Sequence, residues 1–367
     1  MEPRGQSPWY LHEIPPYARG TETLRCASTR ATEGYPPVAE SAVALTQGTG
    51  MTKPRSPHSS TGRTRGLLRR RIKEEGVKQQ NRMMVETASS ICRKTRSKGI
   101  LLYGDMIDDF EALAKIVQEK QVDLILAIRE DSSFQEASSI FKKVFRIPDV
   151  PLGRINQIKM AVIHALSKNV VQKGDKWICL SGIPQSKVLD NLLILEFGKE
   201  FEIISSSDLP VLSEIVMPEV FDTILTLALE LSTQGKEGRK TAGTIFVMGK
   251  HEDVLKYSHP MVINPFQGYP EGERNILDHR LKETLKEFAS IDGAFIIRED
   301  GVILAAGRHL DASGDTIEIP LGLGSRHRAA AGITSLTDAL AIVISEETGG
   351  VRIFHHGKIF MEIEKGE

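Results

Sequence analysis

Apolar positions change period several times along the chain, and the changes mark out elements. Ile100-Leu101-Leu102-Tyr103 is a short continuous apolar run of the kind a buried strand shows. Asp108 to Lys120 follows with Phe110, Leu113, Ala114 and Val117 at helical spacing, and Asp108 and Asp109 suit its N-terminal end. Val122 to Ile128 predicts a second strand, Ser133 to Phe145 a second helix, Asn156 to Val170 a third helix and Lys176 to Leu180 another strand. Two further apolar runs follow, Leu192 to Phe197 and Phe201 to Ile204. Strand and helix alternating in this way predicts an α/β layer with a largely parallel sheet over 99–208.

A second unit begins near Pro218, whose ring suits the first turn of an apolar-faced helix running to about Leu231. Thr244 to Met248 predicts a buried strand, Tyr257 to Glu273 a loop-rich connection, and Leu277 to Phe288 a helix. Ala294 to Ile297 and Val302 to Ala306 flank the turn Glu299-Asp300-Gly301 and predict a β-hairpin. A helix from about Gly324 to Leu336 leads to strands at Ala339 to Ser345, Val351 to Phe354 and Ile359 to Ile363. The expectation is a mixed-sheet α/β domain over 219–365.

Before Gly99 the character differs. Residues 1–66 are rich in Pro, Gly, Ser and Thr and hold neither period, a composition that cannot offset its ordering entropy. A basic cluster at Arg63 to Arg71 then runs into a helix-like stretch from about Leu67 to Lys98, and 1–82 is expected to be a disordered basic extension. The formal charge of −1 over 367 residues averages +10 in residues 1–100 against −11 in the remainder. Such an arm can meet nucleic acid or simply remain solvated, and with Met51, Met83 and Met84 available as later starts, nucleic acid is not the expected partner. Cys26, Cys92 and Cys179 stand singly, without metal-ligand or disulfide spacing. No N-terminal basic patch precedes an apolar run, and no apolar run approaches the roughly 18 residues of a membrane span, so a cytoplasmic protein without a membrane partner is expected.

Three islands in the second unit carry chemistry. Asp292-Gly293-Ala294 sets a carboxylate at the start of a strand, beside a Gly that allows close backbone approach. In Gly322-Leu323-Gly324-Ser325-Arg326-His327-Arg328 a Gly-rich turn opens into a helix, whose free N–H groups, hydroxyl and two guanidiniums suit a polyphosphate. Ser345-Glu346-Glu347-Thr348 ends a strand, where a period of two puts Ser345 and Glu347 on one face and Glu346 on the other. Each alone is an ordinary turn or helix start. Together they offer carboxylates for a hard divalent cation and cations for phosphates, the arrangement used on nucleoside triphosphates.

In this order and spacing, Asp292-Gly293-Ala294, Arg326-His327-Arg328 and Ser345-Glu346-Glu347 resemble the signature of diadenylate cyclases, over about 219–365. Ser325 stands where many relatives have Thr, which keeps the hydroxyl. The stretch Lys173 to Pro184 resembles the closing part of the pyruvate kinase C-terminal α/β domain, and such a domain ahead of a cyclase is similar to the archaeal branch of the family. Pyruvate kinase activity is not implied, because its active site lies in a domain without a counterpart here. Ser181-Gly182 in that stretch can either cradle an anion or serve as a turn.

The resemblance implies condensation of two ATP to cyclic di-AMP and two pyrophosphates between two face-to-face copies of the chain. It implies Asp292 as a ligand of Mn²⁺ or Mg²⁺, assisted by Glu347, and close nucleotide approach at Gly293 and Ala294. Gly324, Ser325, Arg326, His327 and Arg328 would hold the triphosphate, with Asp292, Arg326, His327 and Arg328 in the catalytic machinery. Ser345 would meet the α-phosphate, and Leu310 either lines the adenine site or belongs to the core. The rival from another class is a catalytically silent adenine-nucleotide sensor, against which intact Asp292, Arg326 and Glu347 argue.

Overall fold

The computed structural model describes residues 60–199, 212–233, 243–312, 320 and 322–364, with side chains from 74 onward. The apolar run at 201–204 and residues 1–59 of the expected extension lie outside the described residues. From Ser60 the chain is helical: α1 spans Ser60–Thr95. The expectation of disorder up to residue 82 therefore needs correcting for 60–82. Along the last turns of this stretch the pattern supplies a buried stripe, Asn81, Val85, Ala88 and Cys92, at helical spacing. Asn81 anchors it, donating to the carbonyls of Met106 (2.9 Å) and Lys187 (2.7 Å) and accepting from the Leu189 N–H (2.8 Å). A buried amide with three partners fixes α1 against the sheet.

That sheet is built from β1 (Gly99–Tyr103), β2 (Asp123–Ile128), β3 (Val144–Arg146), β4 (Lys176–Ile183) and β5 (Val188–Glu196), in the order β3-β2-β1-β4-β5. The first four pair in parallel and β5 returns antiparallel on β4. β1 is buried at every position, as a parallel strand covered on both faces must be. The covering helices are α2 (Phe110–Lys120), α3 (Asp131–Ile140) and α4 (Arg154–Ser167), besides α1. Asp109 caps α2 by accepting from the Ala112 N–H at 2.8 Å.

The helix expected over 133–145 ends at Ile140. Phe141 turns extended (φ −114°, ψ 146°), and Val144–Arg146 pairs with Leu126–Ile128 as the edge strand. Ser181-Gly182 lies inside β4 at a register shift and not in a turn. A Cβ on Gly182 would come within 1.9 Å of the Val188 carbonyl oxygen, and its N–H donates to Gln157 Oε1. Strand–strand contact thus uses the groups an anion would need.

The second sheet follows α5 (Leu212–Ile215) and α6 (Pro218–Thr233). Its strands are β6 (Ile245–Met248), β7 (Ser258–Pro260), β8 (Ala294–Ile297), β9 (Ile303–Leu310), β10 (Leu340–Ile344), β11 (Val351–His355) and β12 (Lys358–Ile363). They run in the order β12-β11-β10-β6-β8-β9-β7, with only β6 and β8 parallel. The helices interspersed among them are α7 (His251–Lys256), α8 (Lys282–Phe288) and α9 (Ser325–Leu336). The helix expected from Leu277 begins only at Lys282, after a single 3₁₀ turn that Asp278 opens by accepting from the Arg280 N–H.

Strand alternation divides the apolar side chains between two faces. Phe246, Met248, Phe295, Ile297, Ile342 and Ile344 join the core with α6, whereas Ile245, Val247, Ile296, Ala341 and Val343 join that under α9. The first of these cores continues without a break into the five-stranded sheet, and the described residues lie in one compact unit. Asp222 on α6 pins the join. Its carboxylate lies 2.8 Å from His164 Nδ1 and 3.1 Å from Lys168 Nζ, and it accepts from Ser167 Oγ at 3.2 Å. Desolvation opposes ionisation of the half-buried Asp222, but its hydrogen bonds to His164 and Lys168 outweigh that and hold its carboxyl below the usual carboxylate range.

Candidate functional site

The three islands converge at one end of the second sheet. Asp292 ends the connection from α8, and Gly293 leads into β8 with φ +111°. A Cβ at Gly293 would stand 2.7 Å from the Gly307 carbonyl carbon and 2.8 Å from the Arg308 nitrogen. The glycine is therefore required by the close approach of the β9 backbone. The Asp292 side chain is 69% exposed, with Oδ1 accepting from the Gly293 N–H and from Arg326 Nη2, both at 3.1 Å.

Arg326 joins the islands. Its Nη1 donates to Glu346 Oε2 at 2.9 Å while Nη2 reaches Asp292, so one guanidinium spans two carboxylates from distant parts of the sequence. Gly243, which the sequence reading passed over, makes this possible. A Cβ there would lie 2.9 Å from both Arg326 Nη1 and Glu346 Cβ.

Gly324 is the N-cap of α9, and no side chain caps that end. The His327 and Arg328 N–H groups turn back to the Gly324 carbonyl, which leaves the N–H groups ahead of them directed out of the helix end. Ser325 is exposed there, as is Arg328.

His327 is buried, and its Nε2 lies 3.1 Å from Arg352 Nη1. Arg352 can only donate, so Nε2 accepts and the ring proton belongs on Nδ1. Burial, then the neighbouring Arg352 and Arg326, lowers its pKa to about 4. At neutral pH His327 is an uncharged imidazole, and the cationic partner expected at this position is instead Arg352. On β11 Arg352 interrupts a run of buried apolar residues and pairs with Glu362 across the hairpin. Its signal was a lone charge in an apolar strand.

β10 ends at Ile344, so a strand period of two no longer governs the residues beyond it. Ser345, Glu346, Glu347 and Thr348 form a turn, and the two-face division of Ser345 and Glu347 from Glu346 gives way to one concave surface. Ser345 is buried, with its N–H on the Gly350 carbonyl and its Oγ accepting from the Thr348 N–H at 3.3 Å.

Two cavities meet at Ser325 and Arg326. The larger, about 550 Å³, is polar and lies between the α9 N-terminus (Gly322 to His327), the turn Ser345 to Thr348, and Arg352. The smaller, about 190 Å³, is bounded by Asp292, Gly293, Ala294, Arg308 and Leu310. Leu310 and Ala294 are both buried in the core under α9 and also border this cavity. Arg308 donates to Ser258 Oγ (2.9 Å) and to the Ser258 carbonyl, which ties it to β7. Arg328 lines neither cavity. The exposed carboxylates of Asp292 and Glu347 are hard oxygen donors suited to Mg²⁺ or Mn²⁺, and that donor chemistry fits a divalent cation accompanying a polyphosphate.

Residues 232–359 match the family model described as DAC, DisA bacterial checkpoint controller nucleotide-binding. A diadenylate cyclase of Methanocaldococcus jannaschii is 33% identical over 265 residues, which cover 70% of this chain and 84% of that protein. A diadenylate cyclase of Haloferax volcanii is 29% identical over 72% of this chain and 96% of that protein. A diadenylate cyclase of Listeria monocytogenes is similar over a shorter stretch, 42% identical over 21% of this chain and 27% of that protein. The family model covers most of the second sheet.

Proposed function

Because the chain belongs to the diadenylate cyclase family, we propose that it condenses two ATP into cyclic di-AMP and two pyrophosphates. The observation that carries this reading is Arg326, held between Asp292 and Glu346 where the two cavities join. A guanidinium already poised between oxyanions exchanges one pair of oxygens for another, and phosphate oxygens are the natural replacement. Residues 219–365 are the catalytic part and 99–208 the accessory layer.

In this reading the smaller cavity takes the adenosine end of ATP, against Leu310 and Ala294. The larger takes the triphosphate over the N-terminus of α9, where backbone N–H groups, Ser325 and Arg326 meet its oxygens. Ser345 faces the α-phosphate. Neutral His327 lines the same wall and holds Arg352 beside it, and exposed Arg328 closes on the phosphates from outside. A divalent cation, Mn²⁺ or Mg²⁺, bound by Asp292 with Glu347, would neutralise phosphate charge and ease loss of the 3′-hydroxyl proton.

Each 3′-oxygen forms a bond to the α-phosphorus of the other nucleotide, and the bond from that phosphorus to the bridging oxygen of the β-phosphate breaks. Two pyrophosphates leave and two protons are released. Arg326 and the helix end stabilise the charge that gathers on the leaving group. Among the described residues one chain offers one such pair of cavities, so in this reading two copies face each other in the active species. Dependence on ATP puts the enzyme in the cytoplasm, and among the described residues no helix is long and apolar enough to cross a membrane.

The test is incubation of the full chain with ATP and Mn²⁺ or Mg²⁺ over a range of protein concentrations, with products identified by mass spectrometry. Cyclic di-AMP whose yield per chain rises with protein concentration is expected. Bound ATP without any dinucleotide product would favour a silent sensor.

A further inference from the structure

At the free edge of the second sheet, β7 pairs antiparallel with β9, and His259 stands directly opposite His309. Asp311 lies two residues beyond His309, so an extended backbone returns its side chain to the same face. The three side chains converge. Asp311 Oδ1 is 2.7 Å from His259 Nδ1 and 3.3 Å from His309 Nδ1, and one ligand atom from each residue lies within 4.8 Å of the other two. The imidazoles stack with centroids 5.0 Å apart and planes inclined by 27°, which brings both Nδ1 atoms to the same carboxylate oxygen. All three groups are about half exposed, so solvent and ions reach them.

We propose that His259, His309 and Asp311 form a binding site for a borderline divalent transition ion, Zn²⁺ or Co²⁺ in class. Zinc–nitrogen and zinc–oxygen bonds of about 2.0–2.2 Å put neighbouring tetrahedral ligands about 3.3 Å apart, and the present separations require only small side-chain rotations to reach that. Two imidazoles with one carboxylate select a different ion from the all-oxygen donors at Asp292 and Glu347. Three protein ligands also leave at least one coordination position open to water, phosphate or a neighbouring chain.

The frame is stiff. Leu310 and Ala312, which alternate with His309 and Asp311 along the chain at the end of β9, are buried under α9, so the ligand face cannot roll away. His309 also borders the smaller cavity that holds Asp292, which places this ion on the rim of the adenosine-side pocket. The proposal stands whether or not the chain is a cyclase, because it rests on the edge-strand donors alone.

The experiment uses full-length protein carrying Asp292→Asn, so that the carboxylate site does not contribute, titrated with Co²⁺ and followed by visible d–d absorption and calorimetry. One Co²⁺ per chain is expected, with the intense absorption of a low-coordinate site, and Zn²⁺ should displace it. His259→Ala, His309→Ala and Asp311→Ala should each weaken binding by at least about tenfold, since even groups that merely support metal ligands cost that much. A melting temperature measured for each variant without metal verifies folding of these exposed substitutions. No Co²⁺ absorption in the parent, or absorption that survives the His259→Ala/His309→Ala double variant, would overturn the site and reduce the cluster to two imidazoles sharing an aspartate.

Discussion

Replacing Arg326 by Ala separates binding from stability. The guanidinium is 28% exposed, and its partners Asp292 and Glu346 are 69% and 39% exposed, so water screens both ion pairs. Pairs of this kind contribute about 0–1 kcal/mol each, so loss of both should change folding stability by no more than about 2 kcal/mol. Nucleotide binding is a different matter. Charge-assisted bonds to phosphate oxygens are worth about 1.5–3 kcal/mol. Releasing the two carboxylates offsets about 0.5 kcal/mol of that gain, which leaves a net loss of about 1–2.5 kcal/mol, or roughly fivefold to seventyfold in affinity. The assay is calorimetric titration with 3′-deoxy-ATP, which binds but lacks the attacking hydroxyl, alongside urea denaturation. Arg326→Lys keeps the charge without the two-pronged geometry and should fall between wild type and Ala. Affinity within about twofold of wild type in Arg326→Ala would refute the reasoning, as would a loss of stability of several kcal/mol.

Two further outcomes follow from the geometry. Because His327 titrates near 4 in the folded chain, the unfolded chain takes up a proton below about pH 6.5 that the native state refuses. Stability should therefore be fully present above that pH and fall by up to about 3 kcal/mol as pH drops to 4; urea midpoints across this window should show the slope, reduced in His327→Gln, and an unchanged slope in that variant would contradict the assignment. Gly293→Ala forces a Cβ against the backbone of β9 at φ +111°, and should cost about 1–3 kcal/mol on thermal melting as well as activity; a variant as stable as wild type would show that β9 can yield.

The elements legible in the sequence were those whose apolar residues admit one arrangement. Ile100 to Tyr103, Ala294 to Ile297 and Ala339 to Ser345 are too short and too apolar to be anything but buried strands, and the turn Glu299-Asp300-Gly301 fixed the hairpin between β8 and β9. Phe141 and Val144 were ambiguous because they continue the helical stripe of α3 and equally suit an edge strand; pairing with β2, which is not local, decided it. Asn81 gave no signal because its three partners are at least 25 residues away. At the candidate site, Asp292, Arg326 and Ser345 are marked in the sequence by their turns and helix end. Arg352 and Gly243 are not marked in this way, because their importance lies in what they approach across strands. Glu346 was set on the wrong side of Glu347 by a strand period that stops one residue before Ser345. The cluster of His259, His309 and Asp311 likewise exists only through strand pairing across 50 residues.

The most direct test of the cyclase reading is to compare wild type and Asp292→Asn in one experiment, with 3′-deoxy-ATP binding and cyclic di-AMP formation both measured with Mn²⁺ and with Mg²⁺. The substitution keeps the shape of the side chain, including an oxygen that can accept from Arg326, and removes only its charge. Retained nucleotide binding with cyclic di-AMP abolished is the predicted result. Cyclic di-AMP at the wild-type rate from Asp292→Asn would contradict the account.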